Sequence, residues 1–109
     1  MSGGYEFVEA KYRELLRKLE DLRMRIAMLR AEVQSTERAL KRLEELEGVE
    51  EVYEMAGHIL IKRKREEVLE ELRLNLDGMR SVLKGLEEER KKTEEELNRL
   101  IESVRTATS

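Results

Sequence analysis

From Tyr5 onward the apolar residues fall at alternating steps of three and four: Tyr5, Val8, Tyr12, Leu15, Leu19, Leu22, Ile26, Leu29, Val33, Leu40 and Leu43, with Thr36 the one polar member of the series. A mean period of 3.5 keeps one stripe against a partner along a supercoiled helix, whereas a helix lying on a globular core repeats nearer 3.6. The series predicts a helix over about residues 5–47, ended at Gly48, because glycine accepts the left-handed backbone that helix C-termini often need. A second series, Leu69, Leu72, Leu76, Met79, Leu83, Leu86, Arg90, Thr93, Leu97, Leu100 and Val104, predicts a helix over about residues 65–105, with Arg90 and Thr93 as its polar interruptions. Between them, EEVYEMAGHILIK from Glu50 to Lys62 sets β-branched and aromatic residues on both sides of Gly57. That pattern predicts a β-hairpin over about residues 50–63 turning at Gly57-His58. A type II′ turn there would set Ala56 opposite Ile59, Met55 opposite Leu60 and Tyr53 opposite Lys62.

The two helical series match head to tail. Leu43 with Leu69, Leu40 with Leu72, Leu29 with Leu83, Leu15 with Leu97 and Val8 with Val104 all have residue numbers that add to 112, which places the fold-back at residue 56, inside the turn. The expected fold is therefore mostly α: one domain over residues 1–109, a long antiparallel two-helix coiled coil joined by one short β-hairpin. Arms of about 40 residues would reach ~60 Å. Residues 1–4 and the RTATS segment after Val104 are expected to fray. On the outer faces, Glu9/Arg13, Glu14/Lys18 and Glu37/Lys41 stand in the favourable i, i+4 order.

Composition narrows the function. The chain has 109 residues, 43% of them charged and 4% aromatic, with no Cys, Pro or Trp, which excludes a two-domain enzyme and an ordinary globular core. A net charge of -3 gives no strong attraction to nucleic acid or an anionic membrane. Without Cys there is no disulfide, thiolate metal site or cysteine nucleophile. The opening Met1-Ser2-Gly3-Gly4 has no secretory pattern and no apolar run approaches a membrane span, so a soluble, cytoplasmic protein is expected. His58 is the single histidine and lies in the turn, and Ser35, Ser81 and Ser103 have no base nearby in sequence. The acidic triplets Glu87–Glu89 and Glu94–Glu96 sit on a helix interleaved with Lys91, Lys92 and Arg99, and no phosphate-loop or dinucleotide pattern is present. The chain reads as a non-enzyme without metal or cofactor. The basic run Lys62 to Arg65 is followed at once by Glu66 and Glu67, so it reads as a charged strand end that discourages stray pairing rather than as a phosphate site.

Two features do not fit a self-sufficient monomer. Val52, Tyr53, Met55, Ile59, Leu60 and Ile61 put hydrophobes on both faces of a two-stranded hairpin with two open edges, an arrangement that is marginal alone and suits edge-to-edge sharing among several chains in a sheet or barrel. At the other end of the predicted coiled coil, Tyr5, Phe7, Val8, Tyr12 and Leu15 face Leu97, Leu100, Ile101 and Val104, just outward of the polar positions Arg90 and Thr93. Splaying there would expose adaptable apolar groups suited to a ligand of no fixed shape, such as an unfolded polypeptide. A stand-alone coiled-coil tether that recognises a folded partner through its seam is the alternative.

The block GVEEVYEMAGHILIKRKREEVLEEL, from Gly48 to Leu72, resembles the centre of the prefoldin β subunits: helix, one hairpin with an apolar-Tyr-x-x-x-Gly-x-apolar-apolar-apolar core, and a REEV-type helix start. The α-type subunits of that family carry two hairpins, so one hairpin in 109 residues looks like the β type. The resemblance implies an ATP-independent holdase in which two α-type and four β-type subunits form a hexamer, with the hairpins building a β-barrel body. It implies that the helix ends hold non-native polypeptide for delivery to a group II chaperonin; the charge balance adds the expectation of no nucleic-acid or membrane partner. Carried over, Val52, Tyr53, Met55, Ile59, Leu60 and Ile61 take the assembly role, and Tyr5, Phe7, Val8, Tyr12, Leu15, Leu97, Leu100, Ile101 and Val104 the client role. Lys64 departs from the Asp or Ser cap expected ahead of the second helix. The scarcity of Asn and Gln beside abundant Arg and Glu points towards a thermophilic source, and the resemblance implies an archaeal one, since two-subunit prefoldins are an archaeal arrangement.

Overall fold

The computed structural model describes residues 2–108: α1 (Ser2–Glu45), β1 (Glu51–Ala56), β2 (Ile59–Lys64) and α2 (Arg65–Thr108). Two 44-residue helices flank a two-stranded antiparallel sheet. The chain divides into two compact units, one of residues up to Met28 and from Leu83 onward, the other of Leu29–Val82.

In the first unit, Leu15, Leu19, Leu22, Ile26 and Leu97 are buried, and Leu16, Leu100 and Ile101 pack against the cluster of Leu15, Leu19 and Leu97. In the second, Val33, Leu69 and Leu76 are buried, while Leu29, Leu40, Leu43, Leu72 and Met79 are half-buried. Every one of these except Leu16 and Ile101 belongs to the heptad stripes. Ion pairs report the register independently. Lys11–Glu96 (3.7 Å) and Lys18–Glu89 (3.4 Å) join the helices in the first unit along one flank of the seam, and Arg23–Glu94 (3.5 Å) along the other. Arg73–Glu44 (3.6 Å) and Arg80–Glu37 (3.0 Å) do so in the second. The residue numbers of each pair add to five more or five less than 112, as residues immediately beside an antiparallel seam of that register must. Of the three expected i, i+4 pairs only Glu9–Arg13 forms. Lys18 and Glu37 reach across the seam instead, and Glu14 takes Lys11 (3.9 Å), because a long side chain beside a seam has a partner on the other helix within reach.

The hairpin pairs Glu51↔Lys64, Val52↔Arg63, Tyr53↔Lys62, Glu54↔Ile61, Met55↔Leu60 and Ala56↔Ile59, the register expected from a turn at Gly57-His58. Gly57 has φ +62 and His58 has a negative φ, the combination that separates type II′ from type I′.

The element ends shift from the sequence expectation. α1 stops at Glu45, where the Leu46 N–H donates to the Leu43 carbonyl (3.4 Å) in a last tightened turn, and Gly48 then reverses the chain at φ +70. β2 runs on to Lys64 and passes into α2 with no intervening loop. Helix also runs from Ser2 and to Thr108, over segments where fraying was expected, and no Pro interrupts either end. Met1 and Ser109 lie outside the described residues.

Candidate functional site

The strand alternation sorts the hairpin into two faces. Val52, Glu54, Ala56, Ile59, Ile61 and Arg63 share one, and Glu51, Tyr53, Met55, Leu60, Lys62 and Lys64 the other. Tyr53, Met55, Ile59, Leu60 and Ile61 are exposed and Val52 is half-buried. Hydrophobes therefore stand in water on both sides of a sheet that, among the described residues, has two strands and hence two open edges. A two-stranded ribbon with that surface is marginal in water and presents a template for further strands.

The base of the hairpin is held by charge. Arg63, on the Val52 face, donates to Glu54 on the neighbouring strand (3.0 Å) and by two hydrogen bonds to Glu71 of α2 (2.6 and 3.0 Å). The hydrogen bonds from Arg63 hold the Glu71 carboxyl below its ordinary range, and Glu71, with Glu54 behind it, raises the guanidinium above its own. On the other face Lys62 pairs with Glu51 (2.6 Å). Arg65, the first residue of α2, donates from its main-chain N–H to the Glu50 carbonyl (2.9 Å) and from its guanidinium to the Leu43 (2.9 and 3.1 Å) and Glu44 (3.2 Å) carbonyls. Leu43 and Glu44 both lie in the last turn of α1, where the Leu43 carbonyl otherwise has only the long bond from Leu46, and a cation there also complements the helix dipole. The Glu50 carbonyl takes one of the main-chain N–H groups that the start of α2 leaves free, that of Arg65, and Glu66 and Glu67 put negative charge in the first turn, where the helix dipole favours it. Three of the four residues in the basic run are thus engaged in intramolecular ion pairs or carbonyl contacts.

A second feature lies in the other unit. Tyr5, Val8, Tyr12, Leu100, Ile101 and Val104 line an apolar depression of about 530 Å³, whose lining also includes Glu9 and Arg105. Tyr5 is 72% exposed and Phe7, which does not line the depression, 71%. Leu15 and Leu97, also expected to meet a client, are only 3% and 8% exposed and belong to the seam, so they reach a ligand only where the helices part. Thr93 is buried as well and bonds its own helix at the Glu89 carbonyl (2.8 Å), while the buried Nε of Arg90 has no hydrogen-bond partner.

The description prefoldin subunit fits residues 8–108 as a family model. This chain belongs to the prefoldin family. Among curated prefoldins, the chain is 38% identical over 71 residues to a prefoldin subunit beta of Methanocella arvoryzae, covering 65% of this chain and 56% of that protein. It is 36% identical over 72 residues to the prefoldin subunit beta of Thermococcus onnurineus, covering 63% of this chain and 62% of that one. The corresponding Archaeoglobus fulgidus subunit is 29% identical over 86 residues, 79% of this chain and 74% of its own length. The matched stretches span less than two thirds of the first two relatives. The crystal structure of the prefoldin beta subunit from Thermococcus strain KS-1 has the same fold, with a TM-score of 0.87 at 20% identity over 96% of this chain and 92% of that one. No helix among the described residues is long and apolar enough to cross a membrane.

The hydrophobic pattern marks the exposed apolar residues of the hairpin and those that line the depression, but not the arginines that hold the hairpin. The available signal was the Arg at the first position of α2, where a cation opposes the helix dipole and therefore calls for a partner elsewhere.

Proposed function

We propose that this chain is the β-type subunit of a cytoplasmic prefoldin hexamer of two α-type and four β-type subunits, an ATP-independent holdase that keeps non-native polypeptides for a group II chaperonin. In this reading Val52, Tyr53, Met55, Ile59, Leu60 and Ile61 join neighbouring hairpins into a common β body, which covers their apolar surface and pairs the open edges. The client rests on Tyr5, Phe7, Val8, Tyr12, Leu100, Ile101 and Val104, and gains Leu15 and Leu97 where the seam opens. The observation that carries the client role is the apolar depression lined by Tyr5, with the exposed Phe7 outside it: both aromatics stand in water, which suits apolar side chains of varied shape. Neither metal nor nucleotide is assigned a part, and nucleic acid and membrane are not partners.

The test replaces exposed groups and leaves the buried residues of the seam, Leu15 and Leu97 among them, in place. Tyr5→Ser, Phe7→Ser and Val104→Ser together, in chain co-assembled with an α-type subunit, should leave the assembled mass unchanged and greatly reduce suppression of light scattering by unfolded, reduced lysozyme. Undiminished suppression would place the client elsewhere.

A further inference from the structure

We propose that Arg65 is a positioning residue that sets the direction in which the hairpin leaves the helices, with Arg63 as its second brace, and thereby makes the hairpin competent to join its neighbours. The inference rests on the assembly role proposed for the hairpin, and it starts from an asymmetry in how the hairpin is attached. On the α2 side β2 enters the helix with no loop at all. On the α1 side residues 46–50 form an irregular link containing the left-handed Gly48. Such a link does not fix a direction by itself, and the hairpin needs one, since strands pair only when their edges meet in register and orientation.

Arg65 supplies it from a single point. Its main-chain N–H holds the Glu50 carbonyl (2.9 Å), continuing the strand ladder one step beyond Glu51↔Lys64. Its guanidinium holds the Leu43 carbonyl from two nitrogens (2.9 and 3.1 Å) and the Glu44 carbonyl from one (3.2 Å), with the side chain 17% exposed. The end of α1, the entry to β1 and the start of α2 are thus tied to one residue. Arg63 adds a tie two residues earlier in the strand, from Glu54 of β1 to Glu71 of α2. The planar fork of an arginine meets two successive carbonyls at once, a geometry that a lysine ammonium does not reproduce.

The chain has no cysteine, so two introduced ones become unique spin-label sites. Labels at His58→Cys and Ser81→Cys, in full chain diluted with unlabelled chain and co-assembled with an α-type subunit, report the hairpin against α2. Native mass measurement of the unlabelled variants reports assembly. Arg65→Leu should broaden the label distance distribution at least twofold and lower the assembled fraction at least tenfold at micromolar chain, with far-UV helicity retained. Arg65→Lys should follow Arg65→Leu rather than the parent chain. Arg73→Leu, which removes an exposed cross-helix pair with Glu44 and nothing at the hairpin, should match the parent in both readouts. An unbroadened distribution in Arg65→Leu, or full recovery with Lys, overturns the proposal. Should the parent chain itself fail to assemble, the proposed function fails, and the label distribution alone then decides the positioning role.

Discussion

Replacing Arg90 by Leu should stabilise the protein, and the structure supplies the size of the effect. Arg90 occupies a seam position level with Leu22, and its buried Nε makes no hydrogen bond. The nearest countercharge is Glu94 at 4.0 Å, an oxygen that also lies 3.5 Å from Arg23. A buried donor without a partner costs about 1–3 kcal/mol. Leucine would add apolar burial, discounted because the Arg stem already covers part of that surface, and the lost pair with Glu94 is half-exposed and worth about 0–1 kcal/mol. The net expectation is a gain of about 1–3 kcal/mol, or roughly 4–8 °C in midpoint per kcal/mol for a domain of this size. Thr93→Val is the control: the residue is 2% exposed, but its hydroxyl is satisfied by Glu89, so the change should stay within about 1 kcal/mol of neutral. Urea and thermal denaturation by circular dichroism should be run at one fixed protein concentration, because association shifts apparent stability. A neutral or destabilising Arg90→Leu, or one that gains no more than Thr93→Val, refutes the reasoning.

Other expectations are more direct. Ile59→Lys with Ile61→Lys places two charges on one exposed hairpin face and should abolish the proposed hexamer in native mass measurement while far-UV helicity persists. Gly78→Ala and Gly85→Ala should each raise stability by about 0.4–1 kcal/mol in urea titration, since a Cβ at either site meets no neighbour and the helical backbone suits alanine. Because the Glu71 carboxyl titrates lower folded than unfolded, its contribution is present above the unfolded value and fades as acid protonates it; Glu71→Gln should therefore flatten the loss of stability on acidification, read as denaturation midpoints across the acidic limb.

The coiled coil was readable because its signal is redundant: two heptad series and a turn placed by Gly57 each fix the register, and the burial of Leu15, Leu19, Leu69 and Leu76 with the flanking ion pairs follows from them. The hairpin register was readable for a similar reason, since Gly57 fixes the turn and the turn fixes every opposing pair. Where several partners compete for one side chain, the sequence is silent. Lys18 has Glu14 one turn away and Glu89 across the seam, and spacing does not choose between them. The Arg65 contact with Leu43 and Glu44 joins residues about twenty positions apart through backbone carbonyls, which leave no residue-type signature. At the helix ends the pattern marks Leu15 and Val104 alike as seam members, and only packing separates the buried residue from the exposed one.

The central claim is that the hairpin is built to be shared. Amide hydrogen exchange over β1 and β2, followed by mass spectrometry on the α-type co-assembly and on the same chain diluted until it is monomeric, tests it most directly. The account predicts that the edge amides are shielded in the assembly and exchange freely in the monomer. Equal shielding in both, or free exchange in both, would contradict it.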